Sequence, residues 1–409
     1  MIKNFFHAVI ALAVVLLLSV SLHPGTASAR KNNPVPTPAP AASIHQGPTL
    51  VVLGYHQFGS DALKGVNTYR LSPAELRWEF QWIKEHGWTP VTLDQVLAHW
   101  EKGETLPDKS VLLTYDDGYR SVFTEAFPVI RQFGYPGVLF LYTDFVKWES
   151  KLSLRHSDIE LMEKSGLTAQ SHSQSHPNMG LLKDQLTSEA LSVRLKDEME
   201  VSRDYLHDKL KSDPKALAYP YGVYNYEAVE AARKAGYRMA FTVNPGPNDA
   251  STDPFHLHRY LVVHGTSHAK FAGFFSAQTL HVGKVEPADG ELIKTRKPVF
   301  SAKILDDVDP ASVRMYLGEK PLKGPQYDPA TGKLVRALRI LLPHGGHLVT
   351  ITAVDRKGVQ RSFSWYFRIQ KSPDKNIVAA AAPHTPSERT AVSPKGTPAP
   401  RASSPGSKP

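Results

Sequence analysis

From Thr49 onward, short apolar runs alternate with segments of helical periodicity, and this alternation constrains the fold more than any other feature of the chain. "TLVVLGY" precedes an amphipathic stretch from Ser72 to His86, "VLLTY" precedes Tyr119 to Phe133, and "GVLFLY" precedes a helical pattern near Asp158 to Lys164. The order continues through "GLTAQ", the long Thr187 to Leu210 segment, "ALAY", Tyr226 to Ala235, "MAFTV" and "HRYLVV". Repeated strand–helix units of this kind predict a parallel sheet covered by helices, most economically a closed or nearly closed barrel over residues 48–283.

Near Lys284 the pattern changes. "VFSAKI", "VRMYL", "LVRAL", "HLVTITAV" and "SFSWYFRI" are short and β-rich, with turn signals at Asp289-Gly290, Thr331-Gly332 and Lys357-Gly358, so residues 284–371 read as a β-sandwich with Trp365 in its core. The ends read differently again. Lys3, an apolar stretch from Ala8 to about Leu22 and Ala27-Ser28-Ala29 have the form of a signal peptide over residues 1–29, with an uncleaved anchor as the alternative. Residues 30–47 read as a Pro/Ala-rich linker, and residues 372–409, rich in Pro, Ser and Ala, as a disordered tail.

The chain has no cysteine, which excludes disulfides and leaves only His, Asp and Glu for any metal site. Its net charge of +9 favours anionic surroundings such as cell-wall polymers, but no basic run interleaved with aromatics points to nucleic acid.

In parallel α/β folds the functional face is built at the C-terminal ends of the strands. The polar residues that follow the apolar runs are selective: Asp116, Asp117 and Gly118, then His172 and His176, then Pro220-Tyr221-Gly222, then His264. Adjacent carboxylates beside a buried strand repel each other, so a positive charge is expected between them. His172 and His176, in "SHSQSHPNM", have the spacing that brings two imidazoles to one side of a helical turn. With one carboxylate they make a His₂Asp set that leaves a coordination position open, the arrangement of a catalytic zinc site; the other carboxylate is then placed as a general base. Taken singly, Asp-Asp-Gly is an ordinary turn and His-x-x-x-His is weak. Their occurrence at successive strand ends carries the reading.

"TYDDG", "HSQSH" and "YPYG", in this order, resemble the successive motifs of the polysaccharide deacetylase family, carbohydrate esterase family 4, over about Thr49 to Phe275. The resemblance implies a distorted (β/α) barrel and metal-dependent removal of acetyl groups from N-acetylated sugars. By position, it implies Asp116 as general base, Asp117, His172 and His176 as ligands of a divalent metal, Zn²⁺ first, and the Tyr221 backbone N–H as an oxyanion donor. "LGYHQF", with His56 as a possible substrate contact, and "ALAYPYG" are similar to the exported branch acting on poly-β-1,6-N-acetylglucosamine. Two positions depart from the family. Where an Arg usually orients the base, this chain has Leu217-Ala218-Tyr219, and Arg259 is the candidate replacement; the general acid, usually in a Leu-x-His context, falls at His264 after Val262-Val263. The β-sandwich resembles immunoglobulin-like modules of bacterial surface proteins through "GGHLVTITAVDRKG" and "SWYFRI".

The expectation is therefore an exported enzyme, periplasmic or secreted and cell-wall associated, whose partner is an N-acetylated glycan and which keeps no membrane span once the signal is removed. Peptidoglycan or chitin oligomers remain open as substrates, and a catalytically weak glycan-binding adhesion protein remains open as a second class. A glycosidase fits worse, because adjacent residues cannot flank a glycosidic bond.

Overall fold

The computed structural model describes residues 48–59 and 68–370; the expected signal peptide, linker and tail lie outside the described residues. A curled parallel sheet runs in the order Tyr260–Leu261, Thr49–Tyr55, Lys109–Asp117, Gly137–Leu141, Leu167–Ser171, Ala216–Ala218 and Met239–Phe241, with Thr89–Pro90 also paired to Lys109–Asp117. Its two edges are drawn together by one segment: Leu257 bridges Phe241, and four residues on Leu261 pairs with Gly54. The sheet is thus nearly closed.

Strand side chains alternate, and here both faces are covered. Leu112 joins Leu50, Val52, Val138, Phe140, Met239 and Phe241 inside the curl. Val111, Leu113 and Tyr115 face outward with Val51, Leu53 and Leu139, against Leu76, Phe80 and Ile83 of the Pro73–Glu85 helix. That helix begins where expected because the Ser72 hydroxyl accepts from the Glu75 N–H, satisfying one of its free first-turn donors. The expected helix over Tyr119 to Phe133 is broken into a π-helical turn, Val122–Ala126, and an α-helix, Phe127–Phe133. Pro128 is the reason, since it has no N–H to give the carbonyl four residues back.

The C-terminal strands form two sheets around one core containing Phe300, Met315, Leu334, Val349, Ile351, Trp365 and Phe367. One of these sheets already includes Gln278–Thr279, ahead of residue 284, paired in parallel with Gln360–Ile369. On this last strand Trp365 and Phe367 point into the core, while the alternate residues Ser364, Tyr366 and Arg368 make contacts with the first part of the chain.

At the same junction the His281 imidazole lies between two carboxylates, 3.0 Å from Asp249 and 2.7 Å from Asp306. Hydrogen bonds to Asp249 and then Asp306 push it up to about 9, outweighing partial burial. Because the folded-state value is raised, the stabilisation is fully present below the unfolded value of about 6.5 and is lost as pH rises through about 9. His281→Gln is expected to cost about 1–2 kcal/mol at pH 6 after allowance for solvent screening, and little at pH 10, in urea unfolding followed across that range. An equal loss at both pH values would contradict the ionic account.

Candidate active site

In a regular strand Asp116 and Asp117 would point to opposite faces. They do not, because Asp117 leaves the strand with φ of 72° and its carboxylate turns to the same mouth. Asp116 keeps the inward register above Thr114 and Leu112 and is buried. Its Oδ1 accepts a 2.8 Å bond from Arg259 Nη1, and His56 Nε2 lies 3.8 Å from Oδ2. Burial raises the Asp116 carboxyl, but the Arg259 guanidinium, followed by His172 and His56, overcomes this and holds it at about 2. It is therefore ionised throughout the useful pH range.

Arg259 itself is buried and fixed from three sides: Nε donates to the Thr242 carbonyl at 2.8 Å, and Nη1 also reaches Thr114 Oγ1 at 3.2 Å. Beside it Gly54 packs against the neighbouring strand, where a Cβ would lie only 2.8 Å from Leu261 Cδ2.

His172 and His176 are not on a helical turn as the spacing suggests. They sit on a loop after the Leu167–Ser171 strand, with Ser173 at φ 70° and His176 at φ 59°. These left-handed positions are unfavourable for non-glycine residues and persist only where surroundings enforce them. Ser171 Oγ takes the Ser173 N–H and Ser173 Oγ takes the His176 N–H, both at 3.1 Å, while the buried Glu198 carboxylate accepts from the Ser175 N–H at 2.8 Å and its hydroxyl at 2.5 Å. The backbone is therefore pinned by local hydroxyls and one buried carboxylate rather than by helix hydrogen bonds.

The result is a tight cluster. Asp117 Oδ1 is 3.2 Å from His176 Nε2 and 3.5 Å from His172 Nε2, and the two Nε2 atoms are 3.2 Å apart. His172 Nδ1 lies 2.7 Å from the Ala218 carbonyl, an arrangement that makes Nδ1 the donor and leaves Nε2 with its lone pair. Burial, with His176 adding to it, depresses the His172 imidazole to about 4, so it is neutral at pH 7. Asp117 is raised by burial but lowered further by His176 and His172, with a net downward shift. Its buried Oδ1 accepts no hydrogen bond of good geometry. Three bare lone pairs at these separations fit one small cation: metal–ligand bonds of about 2.05 Å in a tetrahedron give edges of roughly 3.3 Å. Among the described residues, Asp117, His172 and His176 form the group able to hold a metal ion.

Tyr221 lies beside them, its ring centroid 4.6 Å from that of His176 and its side chain exposed. It too is left-handed, with φ 59°, in the short turn Pro220–Gly222. Gly222 cannot carry a side chain, because a Cβ would lie 2.2 Å from Val243 Cγ2. His264 is exposed at the same end of the sheet, three residues beyond Tyr260–Leu261, its N–H bonded to the Thr68 carbonyl at 2.8 Å. His56 packs against Tyr69, the rings tilted by 41° with centroids 4.8 Å apart, and faces Asp116. His256, His258 and His268 play structural parts, paired with Asp253, buried, and stacked on Trp78 respectively. Glu198 and the Ala218 carbonyl were missed by sequence reasoning. A glutamate inside the apolar stripe of the Ser188–Leu210 helix was the available signal for the former, and a backbone acceptor gives none.

The polysaccharide deacetylase family model matches residues 103–240, a span that holds both carboxylates, both histidines and Tyr221. The poly-beta-1,6-N-acetyl-D-glucosamine N-deacetylase of Staphylococcus epidermidis is 28% identical over 204 residues, covering 49% of this chain and 70% of that protein. The Escherichia coli (strain K12) protein of the same name is 28% identical over 232 residues, 48% of this chain but only 34% of that relative's length. The structure of the Streptococcus pyogenes deacetylase PplD in complex with acetate has the same fold, with a TM-score of 0.51 at 22% identity over 56% of this chain and 98% of that one. Over residues 103–240 the chain is thus similar to the polysaccharide deacetylases, in sequence and in fold.

Proposed function

We propose that the chain is a metal-dependent N-deacetylase that removes acetyl groups from N-acetylglucosamine units of an extracytoplasmic polysaccharide, poly-β-1,6-N-acetylglucosamine first. The observation that carries this reading is the pairing of a lone-pair cluster, Asp117, His172 and His176, with a separately buried carboxylate, Asp116, that Arg259 holds at 2.8 Å. A divalent cation, zinc in the first instance, would be held by that cluster and would polarise the acetyl carbonyl and acidify water beside it. Asp116, ionised and fixed, takes the proton of the attacking water as its oxygen bonds to the acetyl carbon. The Tyr221 backbone N–H helps hold the developing oxyanion. As the C–N bond breaks, His264 gives a proton to the departing glucosamine nitrogen, and acetate is left.

The domain division proposed is a deacetylase barrel over residues 48–283 and an immunoglobulin-like sandwich over residues 284–371. Two sheets sharing one core, and the parallel pairing of the early Glu291–Ile293 strand with the last strand, favour that likeness. Export to the periplasm or the cell wall is proposed from the N-terminal sequence and from the glycan named for the relatives; no helix among the described residues is long and apolar enough to cross a membrane.

The binding-protein alternative rested on the absent third-motif Arg, and Arg259 supplies a guanidinium to Asp116 from the segment just before Tyr260–Leu261. Acetate release from β-1,6-linked N-acetylglucosamine oligomers, chitin oligomers and peptidoglycan fragments ranks the substrates. The β-1,6 oligomers are expected to react fastest. Faster release from either of the others moves the substrate, and release from none, with glycan binding intact, returns the binding protein.

A further inference from the structure

The described residues form one compact unit, and the way the last strand meets the site suggests a task for the C-terminal sheets that a spacer would not need. Arg368 lies on Gln360–Ile369 with its side chain only 4% exposed. Taking a guanidinium out of water is costly unless its donors are answered. Both answers come from the same place: Nη2 donates to Asp184 Oδ2 at 2.8 Å, and Nη1 donates to the Gly180 carbonyl. Gly180 belongs to the short Met179–Leu182 helix, whose cap, Asn178, is two residues after His176.

Gly180 is also a meeting point. A Cβ there would lie 2.6 Å from Val223 Cγ1 and 3.2 Å from Arg368 Cδ, so the segment after His176, the segment after Tyr221 and Arg368 are in mutual contact with no spare volume. The second of those segments has its own tie. Tyr224 OH donates to Asp289 Oδ1 at 2.5 Å, and the same oxygen accepts the Tyr366 N–H at 2.9 Å. Asp116 and Asp117 lie on a strand of the curled sheet and His172 is tied to two more through the Leu141 and Ala218 carbonyls, whereas the segments after His176 and Tyr221 are held from behind by Arg368 of the last strand and by Asp289 in the turn after Val282–Glu286.

We infer that Arg368 is a positioning residue for the metal site: through Gly180 and Asp184 it fixes the loop that presents His176, so the C-terminal sheets complete a site whose chemistry lies wholly in the first part of the chain. This rests on the proposed role of His176 as a ligand. Loss of a partner bonded directly to a ligand ordinarily weakens metal affinity about 10- to 100-fold; Arg368 acts one step further out, through the backbone after His176, so the low end of that range is expected. The left-handed backbone at His176 is held on its N-terminal side by the Ser173 hydroxyl and, through Ser175, by Glu198, and Arg368 braces the segment that leaves it on the other side.

The test uses the full chain stripped of metal. Zinc affinity is read by competition with a chromophoric chelator, and amide exchange of residues 177–186 is read on the metal-free protein. Arg368→Met, similar in volume but uncharged, is expected to weaken zinc affinity about 10-fold and to speed exchange in that segment. Arg368→Lys, which can reach one acceptor, is expected to recover part of the loss. His281→Gln, which opens the junction at Asp249 and Asp306 without touching either loop, serves as the control and is expected to keep wild-type affinity. Wild-type zinc affinity in a folded Arg368→Met protein would overturn the inference. So would an equal loss in His281→Gln, which would mean that any weakening of the junction acts alike. Should Arg368→Met not fold, Asp184→Asn carries the same test, because it removes the anionic partner and keeps the shape. A protein that binds zinc but releases no acetate would defeat the deacetylase reading and leave this comparison standing.

Discussion

Asp116→Asn is expected to lower kcat for acetate release by about 10²- to 10⁴-fold while the protein still binds one divalent cation. The substitution removes a proton acceptor but keeps an oxygen where Arg259 Nη1 makes its 2.8 Å bond, and it leaves Asp117, His172 and His176 unaltered. Metal content and rate should therefore separate. The neutral side chain also leaves the buried Arg259 without its anion, so a lower melting temperature is expected alongside. That stability contribution has a definite pH window: because the Asp116 carboxyl is depressed to about 2, it is present above the unfolded value near 3.9 and lost as pH falls towards 2. Acetate release within tenfold of wild type, from protein with full metal content, would remove Asp116 from the role of base.

Arg259→Met should have the second-largest effect, on stability and on pH dependence together. It strands a carboxylate that is almost fully buried, and breaking a buried pair from one side typically costs about 3–5 kcal/mol. Among the influences that lower Asp116, Arg259 is the largest, and burial works in the opposite direction. Without the guanidinium the carboxyl must rise, so the acid limb of kcat/KM is expected to move to higher pH. Urea unfolding at pH 7 and a pH–rate profile check the two parts separately. An unmoved acid limb would show that Arg259 is only a packing residue and that the base is oriented by something else, of which His56 at 3.8 Å is the nearest candidate.

The strand–helix alternation predicted the parallel sheet because both faces of each strand are covered, and an apolar run followed by an amphipathic helix writes that directly into the sequence. The placement of the candidate site was legible to the same extent: Asp116 and Asp117 end the Lys109–Asp117 strand, His172 and His176 follow Leu167–Ser171 two strands along, and a fold that places strand ends at one mouth brings them together. What sequence misjudged was the local backbone. Four-residue spacing suggested a helical turn for the two histidines, yet Ser173 and His176 are left-handed and held by the Ser171 and Ser173 hydroxyls and by Glu198, contacts that no periodicity encodes. Arg259 was only a candidate, because its contact with Asp116 spans 143 positions and no local pattern encodes it. Arg368 was invisible for a related reason. It reads as one more charge alternating with apolar residues on an exposed strand, and only the docking of that strand buries it.

The most direct test of the account is a zinc titration of the metal-stripped full chain, with acetate release from β-1,6-linked N-acetylglucosamine oligomers read at each addition. Activity is predicted to rise linearly and level off at one equivalent per chain, to vanish again on chelation, and to be absent at every zinc concentration in Asp117→Ala. Acetate release that survives chelation, or that Asp117→Ala shows undiminished, would contradict the claim that Asp117, His172 and His176 hold the cation on which catalysis depends.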